Sequence, residues 1–461
     1  MLDSHANGQE PLETSVSRRH PIWSLPFELL QVVFGHVTVL DDTPWDENHP
    51  KRASKAGADL YVLCAPFWLA AICKEWRAIA LHTPTIWTYI NVSFPVTQGD
   101  VSRISCNLER SAVLPLDIVF DCDDEAEADE THRLIFKELL QHASRWRRCR
   151  FVLPVQVDVF WDRFPDDMVL RYLEQLVVLP EYLEVTSAQD DMLDRQLPNS
   201  PCLHRLACHG IYRPSITQTD HWLRLHYLSI NLRTIPGRSL WTTIGRAPNL
   251  RELRLDFPYS SPFFGGGQQG SVPDSEVCLP QLEHLVLMGH AYMNFEQFIP
   301  MFAGWTKLHM LTLSTYLVYM LRPLYARFAG QIRTAIVHYE VGSYLSHEDA
   351  HALLHLSAVQ TLEIRSNRAL EDNNRPLCFA MFFETLRSAS TNGTALGKLR
   401  VLKLSGMPRR EKYERLGEFL EMNFDYDAEE DSGSDVDILF GAGDDGWDDA
   451  RLAAFYSTGQ D

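Results

Sequence analysis

Cys202, His204, Cys208 and His209 are the residues of this sequence whose types most directly suggest a metal, because thiolates and imidazoles are suitable zinc ligands. Four ligands packed into eight residues of an expected strand do not converge on a tetrahedral ion. Alternation along a strand puts Cys202, His204 and Cys208 on one face and His209 on the other. Packing is the better account, and no metal is expected. Gly265-Gly266-Gly267-Gln268-Gln269-Gly270 and Gly441-Ala442-Gly443-Asp444-Asp445-Gly446 both satisfy G-x-G-x-x-G. A dinucleotide site needs a strand before the glycines and a helix N-terminus after them. The first run is flanked by Pro262 and Pro273, and the second carries two carboxylates that repel phosphate, so both are read as loops and no cofactor is expected. There is no G-x-S-x-G elbow, no P-loop and no H-E-x-x-H helix. No local acid–base pattern stands in their place, and the chain is not expected to be an enzyme.

Two further sets of residues bear on modification. Ser432 and Ser434 each have an aspartate three residues on, the pattern an acidophilic kinase prefers; phosphates there would add charge to an already repulsive stretch. Asn91-Val-Ser and Asn392-Gly-Thr are glycosylation sequons by pattern alone. The nine cysteines include no Cys-x-x-Cys pair, and the start of the chain, Met1 to His20, has no apolar signal core. These features point to a reduced cytoplasmic or nuclear protein. The longest apolar run, Leu60 to Cys73, contains Pro66 and is too short to span a bilayer, so no membrane contact is expected. The net charge is −19 and residues 425–449 hold eleven of the acids without a Lys or Arg, which argues against a general nucleic-acid partner.

Elements able to position a binding surface come in two textures. In the first, Leu25-Pro26-x-Glu28 opens a helix: Pro26 suits its first position, and Glu28 favours the positive end of its dipole. Leu29, Leu30, Val33, Phe34 and Val37 follow at helical spacing. After a polar stretch, Leu69, Ile72, Cys73, Trp76 and Ala80 make a second stripe, which Pro84 ends, with Ile86-Trp87 packing beyond. A module this small has little room for a core of its own, so part of such a wide stripe is expected to meet a partner.

The second texture is a repeat. Leu250-x-x-Leu253-x-Leu255 recurs at Leu203, Leu225, Leu282, Leu308, Val359 and Leu399, with weaker copies at Trp146, Leu173 and Ile332. The middle positions are 149, 176, 206, 228, 253, 285, 311, 335, 362 and 402, and most steps fit the 20–29 residues of a leucine-rich repeat. A unit of that size buries its apolar face only by stacking on its neighbours. The fold class expected is therefore α+β to α/β: a small all-helical module followed by an irregular leucine-rich-repeat-like solenoid.

Leu25-Pro26-x-Glu28-Leu29-Leu30-x-x-x-Phe34, followed by Ile72-Cys73-Lys74-x-Trp76-Arg77-x-x-Ala80-x-x-x-Pro84-x-Ile86-Trp87, resembles the F-box, in the form abundant in mushroom-forming fungi. Arg110-Ser111-Ala112-Val113-Leu114-Pro115-Leu116 is similar to a segment that often follows it there. The resemblance implies a substrate-recognition adaptor of a Skp–cullin–F-box ubiquitin ligase. Leu25, Pro26, Leu29, Leu30, Phe34, Leu69, Ile72 and Trp76 would form the face for the Skp-type adaptor and through it the cullin scaffold. Phe34, Ile72 and Trp76 have an alternative role in holding the module together. The repeats would hold a protein target. A rival reading keeps the same surfaces in a scaffold that does not promote ubiquitination. The loop from about Asp41 to Asp59 is longer than the compact F-box has, and the asparagine usual after the last apolar repeat position is missing except at Asn367, which predicts an irregular array. The expected organisation is a disordered tail over 1–20, the F-box module over 21–95, the repeat region over 96–424 and a disordered acidic tail over 425–461.

Overall fold

The computed structural model describes residues 25–38, 58–93, 96–121, 130–153, 169–180, 200–209, 222–231, 244–257, 277–289, 304–339, 347–366, 398–399, 401–405, 436–439 and 453–456. The tail over 1–20, most of the Asp41–Asp59 loop, both glycine-rich runs, Asn367, Asn392, Ser432 and Ser434 lie outside them. Among the described residues no helix is long and apolar enough to cross a membrane.

Three helices come first: α1 (Phe27–Thr38), α2 (Ala58–Ile72) and α3 (Lys74–Leu81), closed by a 3-10 turn at Pro84–Trp87. The second apolar stripe, expected as one helix, is two. Cys73 is extended (φ −158°, ψ 175°) and caps α3, its Sγ accepting from the Trp76 amide at 3.3 Å. Breaking the period at Cys73 separates Ile72 from the residues that follow it.

A single sheet in chain order then runs from β1 to β14. Its strands are β1 (Tyr89–Ser93), β2 (Leu116–Asp121), β3 (Trp146–Leu153), β4 (Gln175–Pro180), β5 (Arg205–His209), β6 (Tyr227–Asn231), β7 (Glu252–Phe257), β8 (His284–Gly289), β9 (Met310–Ser314), β10 (Thr334–Tyr339), β11 (Thr361–Ser366), β12 (Val401–Ser405), β13 (Val436–Leu439) and β14 (Ala453–Tyr456). β1 through β12 are all parallel, each paired with the next, so every connection returns the chain to the same end of the sheet. Helices α4 (Gln98–Arg110) and α5 (Glu130–Gln141) occupy the first two connections, and α6 (Arg322–Phe328) and α7 (His347–Leu353) two late ones. This is an α/β repeat fold.

All ten middle positions of the leucine frame lie in one register row: Cys149, Leu176, Leu206, Leu228, Leu253, Leu285, Leu311, Ala335, Leu362 and Leu402. The row continues back through Ile118 to Ile90. The array therefore begins two strands before the first copy expected, inside the segment assigned to the helical module. Trp87-x-x-Ile90-x-Val92 and Pro115-x-x-Ile118-x-Phe120 carry the same frame without leucine. Leu173, Leu203, Leu225, Leu250, Leu282, Leu308, Ile332 and Val359, just before the strands, are also buried, and one continuous core links all three rows from Ile90 to Leu399. Aromatic donors secure the irregular coils: the Trp305 indole donates to Val277 O at 2.9 Å, Trp146 to Leu139 O at 3.2 Å, and the Tyr325 hydroxyl to Val318 O at 2.7 Å. Burial pushes the Tyr325 phenol and the Cys149 thiol well up from their ordinary values, with nearby carboxylates adding to the effect.

The stretch 425–461, expected as a tail without structure, contributes two strands. β13 pairs antiparallel with β12, Leu402 opposite Ile438 and Lys403 opposite Asp437, and β14 pairs antiparallel with β13. Val436-Asp437-Ile438 alternates as a strand does, a pattern masked by the acidic composition around it, and the open edge of β12 supplies backbone partners.

Candidate functional site

Two surfaces are candidates, one on the helices and one on the repeat array. On the helices, Leu29 N and Leu30 N both donate to Pro26 O at 3.1 Å, so Pro26 stands one position before the helix rather than at its first residue. The stripe of α1 then splits. Leu30 and Phe34 turn inward with Leu69, Trp76, Ile79, Ala80, Ile86 and Trp87 to form a small core of their own. Phe34 meets Trp76 at 5.0 Å between ring centroids, and Phe67 meets Trp87 edge-on at 5.1 Å. The Trp87 indole donates to Ala80 O at 2.8 Å.

Leu25, Pro26 and Leu29, by contrast, are exposed, as is Ile72 at the end of α2. The eight residues expected to form one adaptor face are therefore four in the core (Leu30, Phe34, Leu69, Trp76) and four on the surface. For Phe34 and Trp76 the structural alternative describes their position; for Ile72 it does not, because the break at Cys73 leaves it outside. Sequence reasoning did not single out Phe27, Val32, Trp68 and Leu81 as surface residues, yet they are exposed too, together with Val33 and Val37 of the stripe. The signal for α1 was present: Leu29, Val33 and Val37 repeat every four residues beside the inward Leu30 and Phe34, more apolar surface than one core can take.

The segment Arg110–Leu116 forms the turn from α4 into β2. Ala112 has a positive φ of 52°, Ser111 is buried, and Arg145 donates to Ser111 Oγ and to Leu114 O at 2.9 Å. Arg110 lies over the Trp87 ring at 4.5 Å and so ties the first connection to the helical module. Asn91 sits buried in β1, where its carbonyl accepts from Arg103 at 3.0 Å, a poor place for a glycan.

On the array, the side chains between the two inward rows line the opposite face of the sheet. Val177, Ala207, Ser229, Val286, Thr312 and Ile336 of this row are buried, so its middle is not an open platform. Polar groups on this face pair with one another: Arg254 with Asp256 at 3.1 Å, Arg365 with Glu363 at 2.7 Å, and the His284 ring between Glu252 and Thr312. Burial disfavours ionisation of Asp117, but hydrogen bonds from Arg147 and Arg148, both reaching 2.6 Å, and their charges outweigh it and hold its carboxyl below the usual range. A bulge between Leu116 and Asp117 lets both guanidinium groups reach it.

The turns that lead into the strands are different: exposed, and stitched by a backbone ladder in which each coil donates to the carbonyl of the previous one. His226 N donates to His204 O at 2.9 Å, Arg251 N to His226 O at 2.9 Å, and Arg333 N to His309 O at 2.8 Å.

Cys202, His204 and Cys208 do not share one strand face. β5 starts only at Arg205, so Cys202 and His204 belong to the preceding turn, with His204 Nδ1 at 3.2 Å from Cys202 O, while Cys208 is in the core. Among the described residues no group of three or more His, Cys, Asp or Glu is placed to hold a metal ion.

No family model and no curated protein matches the chain. Among solved structures it is similar to an internalin from Listeria monocytogenes, at 13% identity and a TM-score of 0.30, over 62% of this chain and 70% of that one.

Proposed function

We propose that the chain is the target-recruiting subunit of a Skp–cullin–F-box ubiquitin ligase: the helical module docks on the Skp-type adaptor, and the repeat array holds a protein destined for ubiquitin transfer. The observation that carries the reading is the exposed apolar start of α1, with Leu25, Pro26 and Leu29 in solvent although Leu30 and Phe34 of the same helix are buried. Burying one such side chain is worth about 1.5–3 kcal/mol, so several together supply a driving force for a helical partner. The chain itself performs no bond chemistry; it raises the local concentration of the target beside the charged conjugating enzyme. This work belongs to the cytoplasm or nucleus, where ligases of this kind act.

Co-purification with a fungal Skp-type adaptor tests it, wild type beside Leu25→Ala/Pro26→Ala. Capture by wild type and loss in a folded double variant is the expected outcome. No capture by folded wild type sinks the proposal. Capture without any accelerated turnover of bound proteins favours the non-degradative scaffold instead.

A further inference from the structure

The strand-entry turns from β4 to β12 carry a line of unusual charge. Arg171, Arg224, Arg251, Lys307, Arg333 and Lys398 are all exposed and come from six different coils. Among the described residues of these turns the carboxylates are Glu174 and Glu283. This cationic line runs through a chain whose net charge is −19, so it is a local reversal of sign rather than a sample of the average. Histidines stand beside them: the rings of His204 and His226 lie 6.2 Å apart, and the exposed His309 shares its turn with Lys307. Burial, then the Arg251 charge and His204, hold the His226 imidazole below its ordinary value. Among the described residues of these turns the six exposed cations outnumber the two carboxylates.

We infer that this rim docks an acidic, extended segment of the protein target. The inference rests on the reading of the array as the part that holds a target. Parallel strands stand about 4.8 Å apart, so β4 to β12 spans about 38 Å, the length of about a dozen residues of extended chain. The six cations stand on the coils before β4, β6, β7, β9, β10 and β12, so successive ones alternate between about 10 Å and about 5 Å apart along the rim, within reach of different carboxylates of one extended ligand. Arg251 and Arg333 stand on the backbone ladder, with Glu174 and Glu283 at equivalent positions, while the other four cations lie earlier in their turns; exposed charges of this kind give steering and register more than raw affinity. A nucleic acid fits less well: a phosphate at every nucleotide meets Glu174 and Glu283 within the line and the repulsive field of an acidic chain.

The test uses the full chain and a fluorescein-labelled twelve-residue peptide of alternating glutamate and serine, read by fluorescence anisotropy at low salt. Wild type binds the peptide, and binding falls steeply as salt rises, because exposed pairs are screened. Arg251→Glu/Arg333→Glu weakens it by about tenfold or more, while Arg251→Lys/Arg333→Lys largely retains it. Circular dichroism confirms that both variants are folded. Absence of peptide binding by folded wild type, or equal binding of a neutral serine–glycine peptide, overturns the proposal. So does tighter binding of a twelve-nucleotide single strand. Peptide binding that emerges only after removal of residues 425–461 assigns the rim to the chain's own acidic segment and likewise overturns it. Adaptor capture is measured separately, so its failure and the failure of peptide binding are distinguishable.

Discussion

The helical module and the repeat array solve the same problem with opposite results. In the array each coil brings an apolar row just before its strand and two more within it, and the next coil covers them, so the core runs unbroken from Ile90 to Leu399. In the module, α1 has apolar residues on two sides, and the short helices behind it cover only Leu30 and Phe34. A repeat supplies its own partner by adding another coil. A three-helix unit cannot, and Leu25, Leu29 and Val33 stay in solvent. The difference separates residues that make the fold from residues left over for an interaction.

Substitutions at the join and in the array should have the largest effects. Trp87 is fully buried, donates to Ala80 O, faces Phe67 and supports Arg110 of the first connection. Trp87→Ala should cost about 3–5 kcal/mol. If the module and array are one cooperative unit, denaturant unfolding followed by helix signal and by tryptophan fluorescence should shift together; a shift confined to one probe would separate them. Leu253→Ala, in the middle register row and fully buried, should cost about 2–5 kcal/mol with no effect on adaptor capture. Loss of capture at equal folded fraction would break the division of labour.

An intermediate effect is expected at Asp117, the anion for Arg147 and Arg148. Asp117→Asn keeps the shape but removes the charge, and both arginines are partly solvated, so the cost should be about 1–3 kcal/mol. Its folded-state pKa lies below the unfolded value, so the stabilisation is complete above the ordinary carboxylate range, near pH 4, and is lost as pH falls through the lower folded value. The difference in denaturation midpoint between wild type and Asp117→Asn should therefore shrink on acidification below about pH 4. A difference that stays constant to the acid end would remove the ion pair as its cause.

Much of the array was legible because a register row is also a sequence row: ten residues chosen by spacing alone are Cα neighbours across the sheet. β1 and β2 escaped because isoleucine, valine and phenylalanine replace leucine there and helices lengthen the connections. β13 escaped because the acidic composition around it hid a strand of four residues whose alternation runs over only three. The helical site was half legible. Spacing found the apolar residues of α1, but which of two adjacent stripes faces inward depends on where α2 and α3 lie, and that depends on a one-residue break at Cys73. The cationic rim was invisible, since its residues lie 26 to 65 positions apart in the sequence and only the stacking of coils brings their turns to one edge.

The smallest stability effect is the sharpest test of the contrast. Leu29 is 50% exposed and Val33 37% exposed, one helical turn apart on the outer side of α1, while Leu30 is 6% exposed beside them. Leu29→Ser/Val33→Ser removes apolar surface that the folded chain leaves in water, and serine costs little in helix propensity, so the unfolding free energy should change by no more than about 0.5–1 kcal/mol. Leu30→Ser, one residue away, opens the module's core and should cost about 2–4 kcal/mol. If the outer stripe exists for a partner, the nearly neutral pair should abolish adaptor capture at full folded fraction, because binding energy concentrates in a few apolar anchors. If capture persists with Leu29→Ser/Val33→Ser and fails with Leu30→Ser only in proportion to unfolding, then α1 binds nothing through this face. The exposed stripe would then be surplus to the module rather than its purpose.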